Sequence, residues 1–453
     1  MPTPKSSIRS ASIELSTESY RYRTPMKFGG RVVEDVTVLN AHCQLGNHGG
    51  QNARGLGSMT MGVAWAWPSP DVTDGTKLLI VQEAAEAIAN LISADEEGGH
   101  PMEVCVRSHG HFQDIAAKLQ SEHGLQQPIP DLAMLLAASP VEAALFDAHG
   151  LAAGCSAYQL LGREHLTADI GTLLHADQYN GLHLSNYINT SPSETLPLYH
   201  LVGALDPLSD VDVATPVQDG LPETLDQWIR ECGLSHLKIK LAGDDADWDL
   251  QRVVSVDHVA QSVRRDTTGW QYSLDFNERC EDEDYVLELL DRLKADHSEC
   301  LQRVAYIEQP THRDLKRPNA VTMHRAAARI PVVIDESLTD LESAHLAMEQ
   351  GYSGIALKAC KGHSEALLLG AIANHHELFL CVQDLTCVGA SLLHSASIAA
   401  HIPGVTAIES NGRQYCPQGN AAWLDTYEPF FQVRNGRVPT GVLNQPGLGF
   451  RLP

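Results

Sequence analysis

Seven ionisable side chains recur along the second half of the sequence, each at or beside the end of a short apolar run. In chain order they are Lys240, Asp275, Glu308, Asp335, Lys358, Asp384 and Glu409, separated by 23 to 35 residues. Asp275, Glu308 and Asp335 follow one another in this series, and hard oxygen ligands without His or Cys suit Mg²⁺ better than zinc. The alternative is that each carboxylate forms a separate salt bridge with a nearby Lys or Arg.

The lysines in this series indicate proton transfer. Lys238 stands two residues before Lys240, so in a strand both side chains point to the same face. We expect repulsion between the two ammonium groups to lower the pKa of the inner amine toward that of a usable base. Lys358 and Lys361 lie in a later run. Two amines that face each other across a bound ligand can remove and deliver a proton on opposite faces of one carbon; phosphate clamping and charge balance are the alternatives.

Eight apolar runs of strand length, each followed by further sequence of helix length, carry these residues. They are LPLYHLVG, HLKIKLA, YSLDFNE, VAYIEQP, PVVIDES, GIALKAC, LFLCVQD and VTAIES. Continuous apolar strands that alternate with helices indicate a parallel sheet buried on both faces. Eight such units predict an α/β fold of the (β/α)8 TIM-barrel type, in which the C-terminal strand ends meet at one mouth. We therefore expect the seven residues to meet there, with Lys358 opposite Lys240.

Residues 1–162 have a different pattern, which predicts an α+β domain ahead of the barrel. The segment KFGGRVVEDVTVLNAHCQL is typical of antiparallel strands. The glycine-rich stretch 46–62 lacks both the Lys-Ser/Thr of a P-loop and the GxGxxG spacing, so we expect a mobile flap. Ser139, Pro140 and Glu142 together predict a capped helix start.

The remaining segments complete the predicted organisation. Residues 163–196 are polar and irregular, which indicates a linker or insertion, and the barrel then occupies 197–415. The tail, 416–453, contains the strand-like FFQVRNGRVP, which we expect to return to the first domain.

Composition restricts the partners of the chain. The sequence contains 32 Lys and Arg and 57 Asp and Glu residues. The resulting formal net charge of -25 disfavours binding to nucleic acid or to an anionic membrane. The N-terminus has no apolar run of signal-peptide length, and no stretch has the roughly 18 apolar residues of a membrane span. The ten cysteines have no CxxC spacing, which indicates reduced core thiols. We expect a soluble, cytoplasmic protein.

The motifs LKIK, LDFNE, YIEQP, VIDES and IALKACKG, in this order, resemble the enolase superfamily, in particular its mandelate racemase and muconate lactonizing enzyme branch. The resemblance extends to YRTPMKFGG near the start, to SPVEAALFDAHGLAAGCSAYQLLG before the barrel and to the closing PGLGF. It implies an N-terminal α+β capping domain over a (β/α)7β barrel. It also implies Mg²⁺ held by Asp275, Glu308 and Asp335, and abstraction of the proton α to a carboxylate with a metal-stabilised enolate.

The resemblance also assigns roles to the lysines. Lys240 matches the catalytic second lysine of KxK, Lys238 matches its partner, and Lys358 matches the base of the sixth strand, with Lys361 as the nearby alternative. A lysine on the sixth strand places the chain with the muconate lactonizing group. The mandelate racemase group instead uses a seventh-strand His, and His394 lies too far into the following helix for that role.

The substrate side of the resemblance is less complete. Asn277, Asp384, Glu409 and Asn411 are the candidate substrate-binding residues, but Glu409-Ser410-Asn411 replaces the DxD of dipeptide epimerases. We expect a small carboxylate substrate, a homo-oligomer, and a racemase or epimerase of a carboxylic acid or amino-acid derivative. A lyase or dehydratase of a hydroxy or sugar acid and a cycloisomerase share the first half-reaction, and a non-catalytic binding barrel is the remaining alternative.

Overall fold

The computed structural model describes residues 4–28, 30–264 and 269–453. Gly29, which belongs to the YRTPMKFGG segment, lies outside these ranges. Within them, an antiparallel sheet with helices comes first and a closed parallel barrel follows, which confirms the predicted fold class.

The N-terminal sheet contains β1 (Ile8–Phe28), β2 (Arg31–Asn47) and β3 (Asn52–Thr60), paired antiparallel in that order. The long hairpin of β1 and β2 extends toward the barrel. The helices of this part are Val63–Ala66, Asp74–Ser93, Pro101–His109, Phe112–Glu122 and Asp131–Ala153.

The glycine-rich stretch is a sheet strand, so the predicted flap over residues 46–62 is wrong. Most of it forms β3, whose glycines lie against the helix Asp131–Ala153. A Cβ atom at Gly57 would lie 1.8 Å from the carbonyl oxygen of Pro140, and one at Gly55 would lie 2.2 Å from the backbone nitrogen of Ala148. The glycines therefore permit a close approach of strand and helix.

The helix Asp131–Ala153 also begins earlier than predicted. Ser139 and Pro140 lie in its interior, and the Ser139 hydroxyl donates to the carbonyl of Leu136 at 2.8 Å. Glu142 accepts hydrogen bonds from Ser364 of the barrel instead of completing a capping box. By length and composition this helix could span a membrane, but it is fully buried within the fold, as expected of a core helix.

The barrel consists of eight parallel strands within the described residues. They are β4 (Leu196–Val202), β5 (His236–Lys240), β6 (Gln271–Asp275), β7 (Val304–Glu308), β8 (Val332–Ile334), β9 (Gly354–Lys358), β10 (Phe379–Gln383) and β11 (Val405–Glu409). Neighbouring strands pair in chain order, and β11 pairs with β4 to close the ring. These strands match the eight apolar runs of the sequence.

Helices connect successive strands on the outside of the barrel. The longer ones are Leu225–Cys232, Ala246–Val263, Glu283–Asp296, Leu341–Glu349, His363–His375 and Ala390–His401, and the shorter ones Ser298–Leu301 and His324–Ala327. The side chains of Asp245, Asp282 and Asp340 cap three of them by accepting a backbone N–H of the first turn. Only the short helix Gly412–Tyr415 directly follows β11, so the barrel is of the (β/α)7β type.

The segments outside the two main units pack on them. Residues 163–196 contain the helix Ile170–Leu174 and contact the end of Ala390–His401 through a hydrogen bond from Asn189. In the tail, the helix Glu428–Phe431 precedes β12 (Arg437–Val438), which pairs with β4 of the barrel, whereas Leu448 donates its backbone N–H to Asp147 of the N-terminal part. The domain boundaries at residues 162, 196 and 415 stay predictions.

All ten cysteines lie within the described residues and are free thiols. Nine are buried and Cys155 is partly exposed. Burial raises the pKa of the Cys43 thiol to about 12, which keeps it protonated and unreactive. The expected core position is confirmed for nine of the ten cysteines, and Cys155 is the exception.

A group of buried imidazoles lies between the N-terminal helices and the barrel helices. Its members are His100, His149, His363, His394 and His401, each with about 1% of its surface exposed or less. Burial lowers the pKa of His149, His394 and His401 to about 4. These rings are therefore neutral in the folded protein at neutral pH.

We expect acid to destabilise the protein through this group. The unfolded chain binds protons at these histidines near pH 6.5, whereas the folded state resists protonation down to about pH 4. The free energy of unfolding should fall across this window by up to about 1.4 kcal/mol per pH unit for each histidine. We expect His149→Leu to reduce the slope of the free energy of unfolding against pH by about the contribution of one histidine. Denaturant titrations at a series of pH values measure this slope. The exposed His258→Leu is the control, and an unchanged slope in His149→Leu would contradict the prediction.

Candidate active site

The predicted residues meet at the C-terminal mouth of the barrel because adjacent strands end in register. Lys240 of β5 is the Cα partner of Asp275 in β6, and Asp275 is the partner of Glu308 in β7. All three side chains are buried at the mouth. The alternation of strand residues thus brings an amine and two carboxylates to one level.

Lys238 lies at the centre of a group of carboxylates. Its Nζ is 2.8 Å from Glu308 Oε1, 3.0 Å from Glu409 Oε1 and 3.1 Å from Asp275 Oδ2. Burial disfavours the ammonium form, but the three carboxylates outweigh burial and raise the pKa of Lys238 well above its ordinary value. The expectation that repulsion from Lys240 lowers the pKa of the inner amine is therefore wrong.

Lys240 lies closer to the opening of the mouth. Its Nζ donates to Asp275 Oδ2 at 2.5 Å and to Asn277 Oδ1 at 2.9 Å. Asn277 adopts a φ of 43°, in the left-handed region that Asn tolerates better than most residues, and its backbone N–H donates to Asp275. The turn after β6 thus orients both acceptors of the lysine.

The two lysines after β9 have different surroundings. Lys358 Nζ is 2.8 Å from Asp335 Oδ2 and lines the cavity at the mouth. Lys361 Nζ donates to the backbone carbonyl of Asp335 at 2.6 Å. Burial opposes the charge on Lys358, but Asp335 outweighs it and raises the pKa; the pKa of Lys361 is lowered by burial. This geometry favours Lys358 as the group that faces a ligand.

The three predicted metal ligands lie beneath the lysines. Asp275, Glu308 and Asp335 are fully buried, and none of them lines the cavity. Nearby ammonium groups, acting against the effect of burial, lower the pKa of Asp335 to about 2, whereas burial and Asp275 raise that of Glu308 well above its usual range. In the described residues no group of three His, Cys, Asp or Glu side chains is arranged to hold a metal ion. Lysines occupy the space between the carboxylates.

Carboxyl groups nevertheless outnumber amines at the strand ends. Among the described residues, six buried carboxylates face four buried ammonium groups: Asp275, Glu308, Asp335, Glu336, Asp384 and Glu409 against Lys238, Lys240, Lys358 and Lys361. Two carboxyl groups therefore lack a buried lysine partner. Burial and like-charge repulsion raise the pKa of Glu308, Glu336 and Asp384, and a nearby divalent cation would favour their ionised forms. The all-oxygen donor set also suits Mg²⁺.

The remaining predicted residues connect the last two strand ends. Asp384 accepts the backbone N–H groups of Thr386 at 3.0 Å and Asn411 at 2.8 Å, and its own backbone N–H donates to Glu409 Oε2 at 3.0 Å. Burial, followed by the nearby Glu409, raises the pKa of Asp384 to about 7. Asn277, Asp384, Glu409 and Asn411 all line the cavity.

Two further residues at the site, Trp65 and Glu336, were not among the residues predicted from the sequence. The indole Nε1 of Trp65 donates to Glu336 Oε1 at 3.1 Å, and its ring lies 4.5 Å from Lys358 Nζ. Glu336 also accepts from Asn277 at 3.1 Å, and burial raises its pKa to about 7. Glu336 follows Asp335 directly and could have been considered on that ground. Trp65 comes from the N-terminal part, and no local pattern places it at the mouth.

The cavity above these residues has a volume of about 570 Å³. The barrel mouth forms its floor, and the β1–β2 hairpin with the segment after β3 forms its walls, for example through Tyr22, Val36 and Trp65. Neither part of the chain encloses it alone. A volume of this size suits a small-molecule ligand.

Comparisons with known proteins agree with this architecture. The family model for the enolase C-terminal domain-like family matches residues 220–453. An N-succinylamino acid racemase of Thermus thermophilus is 25% identical over 265 residues, which cover 57% of this chain and 64% of the racemase. The match therefore spans less than two thirds of that relative.

Solved structures match over almost the whole chain. A dipeptide epimerase from Enterococcus faecalis, complexed with Mg and the dipeptide L-Leu-L-Tyr, has a TM-score of 0.60 at 17% identity, covering 98% of this chain and 99% of the other. A muconate lactonizing enzyme from Pseudomonas fluorescens, complexed with muconolactone, has a TM-score of 0.61 at 20% identity, covering 99% and 97%. At these identities the matches show the shared fold.

Two substitutions at Trp65 should distinguish how much each of its two contacts contributes to stability. Trp65→Phe keeps an aromatic ring near Lys358 but removes the donor to buried Glu336, so the free energy of unfolding should fall by about 1–3 kcal/mol. Trp65→Leu also removes the ring and should cost more, about 3–5 kcal/mol. Denaturant unfolding measures both, with Trp248→Phe at the surface as the control. Equal stability of Trp65→Phe and the unchanged protein would show that the indole bond contributes nothing.

Proposed function

Because the chain belongs to the enolase C-terminal domain-like family, we propose that it is an isomerase that removes and returns the proton on the carbon next to a carboxylate. Its substrate is a carboxylic acid or an amino-acid derivative, and the reaction is racemisation or epimerisation. The observation that carries this proposal is the position of Lys240 and Lys358. They stand on the second and sixth barrel strands, on opposite sides of the ring, and line the same cavity.

Each lysine is held by its own partners. Asp275 and Asn277 orient the amine of Lys240, and Asp335 orients that of Lys358. An amine fixed on each side of a bound α-carbon can take the proton from one face while the other delivers a proton to the opposite face. Exchange of roles between the two lysines makes the reaction reversible.

We further propose that Asp275, Glu308 and Asp335 hold Mg²⁺. Support comes from their all-oxygen chemistry, their position on adjacent strands and the two carboxyl groups at the mouth that lack a buried lysine partner. Binding requires Lys238 to leave its present contacts with Asp275 and Glu308. A bound Mg²⁺ supplies electrostatic stabilisation of the negative charge that develops on a substrate carboxylate.

Removing either lysine should abolish racemisation but leave exchange of the α-proton of one enantiomer. With Mg²⁺ in deuterated water, Lys240→Ala and Lys358→Ala should each exchange the α-proton only of the enantiomer that the remaining lysine reaches. Mass spectrometry of both enantiomers of a panel of small acids measures this exchange. The exposed Lys316→Ala is the control.

Other outcomes of this experiment identify other mechanisms. Elimination, as in a lyase, or cycloisomerisation by a single base would leave one variant without exchange and the other merely slower. Full turnover in both variants would show that the base is Lys361 or another group. Absence of exchange with every acid in the unchanged protein would favour a non-catalytic binding barrel.

Loss of one predicted ligand should weaken Mg²⁺ binding. Glu308→Ala removes one of three carboxylates and should reduce affinity by about 3 kcal/mol, more than a hundredfold. Isothermal titration calorimetry measures the affinity, and thermal unfolding confirms that the variant is folded. Glu342→Ala, at an exposed carboxylate, provides the control. Unchanged Mg²⁺ affinity in Glu308→Ala would refute the assignment of the metal site.

A further inference from the structure

Beyond the lysines, the wall of the cavity is largely apolar. Val36 and Met26 of the β1–β2 hairpin, Met61 and Val63 after β3, and Leu201 and Leu385 of the barrel line it. These residues line the same cavity as Lys240 and Lys358, so the part of a substrate beyond its α-carbon lies among them. That part therefore meets hydrocarbon side chains.

The charged groups on this side of the cavity are acidic. Glu34, Asp35 and Asp74 line it, and no arginine does among the described residues. Lys77 and Arg31 balance the charge of Asp74, so Glu34 and Asp35 are the carboxylates that make this side acidic. Arg31 belongs to the same hairpin, but its guanidinium is bound to Asp74 and to the carbonyl of Pro68. The outer part of the cavity thus offers no free cation to an anionic ligand group.

The lysines of the floor do not supply that cation either. Lys238, Lys240 and Lys358 each contact a buried carboxylate at 3.1 Å or less. The substrate carboxylate next to the reacting carbon already requires the positive charge at the floor of the cavity. A second carboxylate at the far end of the molecule would face the apolar wall and the acidic rim.

We propose that the substrate is a monocarboxylate with an uncharged, apolar arm, and that the cavity excludes a second carboxylate on that arm. The inference rests on the proposed function, since it takes the lysine side as the reacting end. An ionised carboxylate placed against apolar side chains without a partner loses hydration that nothing replaces. Carboxylates at the rim add repulsion. An alkyl arm of the same shape gains contact with Met61, Val63 and Leu385.

A matched pair of ligands tests this selectivity. The 4-methylpentanoyl and succinyl groups have the same number of non-hydrogen atoms, and attached to the nitrogen of one amino acid they differ only at the end of the arm. Calorimetry with the Mg²⁺-supplemented protein should show that N-(4-methylpentanoyl)leucine binds at least about a hundredfold more tightly than N-succinylleucine, with the alanine and phenylalanine pairs following the same order. Equal or tighter binding of the succinyl compounds, or no binding of either class, overturns the proposal.

A charge placed in the wall should reverse the preference. Leu385→Arg adds a guanidinium beside the arm and should improve binding of the succinyl compound at least tenfold relative to its neutral partner. Leu385→Met, which keeps the wall apolar, should retain the original preference. If Leu385→Arg leaves the ratio unchanged, Leu385 does not face the arm and the proposed wall is wrong.

Measuring proton exchange distinguishes failure of the proposed selectivity from failure of the proposed isomerase activity. The same compounds in deuterated water report whether the α-proton of a bound ligand is removed. Selective binding of the neutral compound without exchange refutes the proposed isomerase while the selectivity stands. Exchange with preference for the succinyl compound refutes the selectivity and leaves the isomerase intact.

Discussion

The site depends on a buried network of lysines and carboxylates. Isolated charges at this depth would be prohibitively costly, but Lys238 lies within 3.1 Å of three carboxylates, and the remaining amines each have an acidic partner. The network fixes the direction of every lysine before a ligand arrives. It also contains two more carboxyl groups than amines among the described residues.

The barrel makes this network possible because its strands end in register. Lys240, Asp275 and Glu308 come from separate parts of the chain, and parallel pairing brings them to one level. The outer helices cover one face of the barrel sheet, and buried side chains such as Tyr199, Tyr306 and Cys381 pack in its interior. The backbone therefore brings the amines and carboxylates to one level, and their mutual contacts orient the side chains.

The N-terminal part completes what the barrel begins. Trp65 crosses from the segment after β3 to Glu336 and Lys358, and the β1–β2 hairpin closes the cavity above them. The glycines of β3 let this part pack tightly on the helix Asp131–Ala153. The barrel thus supplies the lysines and carboxylates, and the N-terminal part supplies much of the cavity wall.

The sequence by itself determined the fold and the chemical character of the mouth. Strand-length runs that end in a charged residue are local patterns, so the eight strands and the residues from Lys240 to Glu409 could be identified before any contact was known. Only the tertiary structure decided the pKa shifts of the side chains at the mouth and the residues that enclose the cavity. The raised pKa of Lys238 arises from Glu308 and Glu409, which are distant in sequence, and local spacing to Lys240 predicted the opposite direction. Non-local contacts also decide three other features, which a one-dimensional pattern does not contain. They are the burial of Ser139 inside a helix, the packing of Gly57 against Pro140 and the position of Trp65 at the mouth.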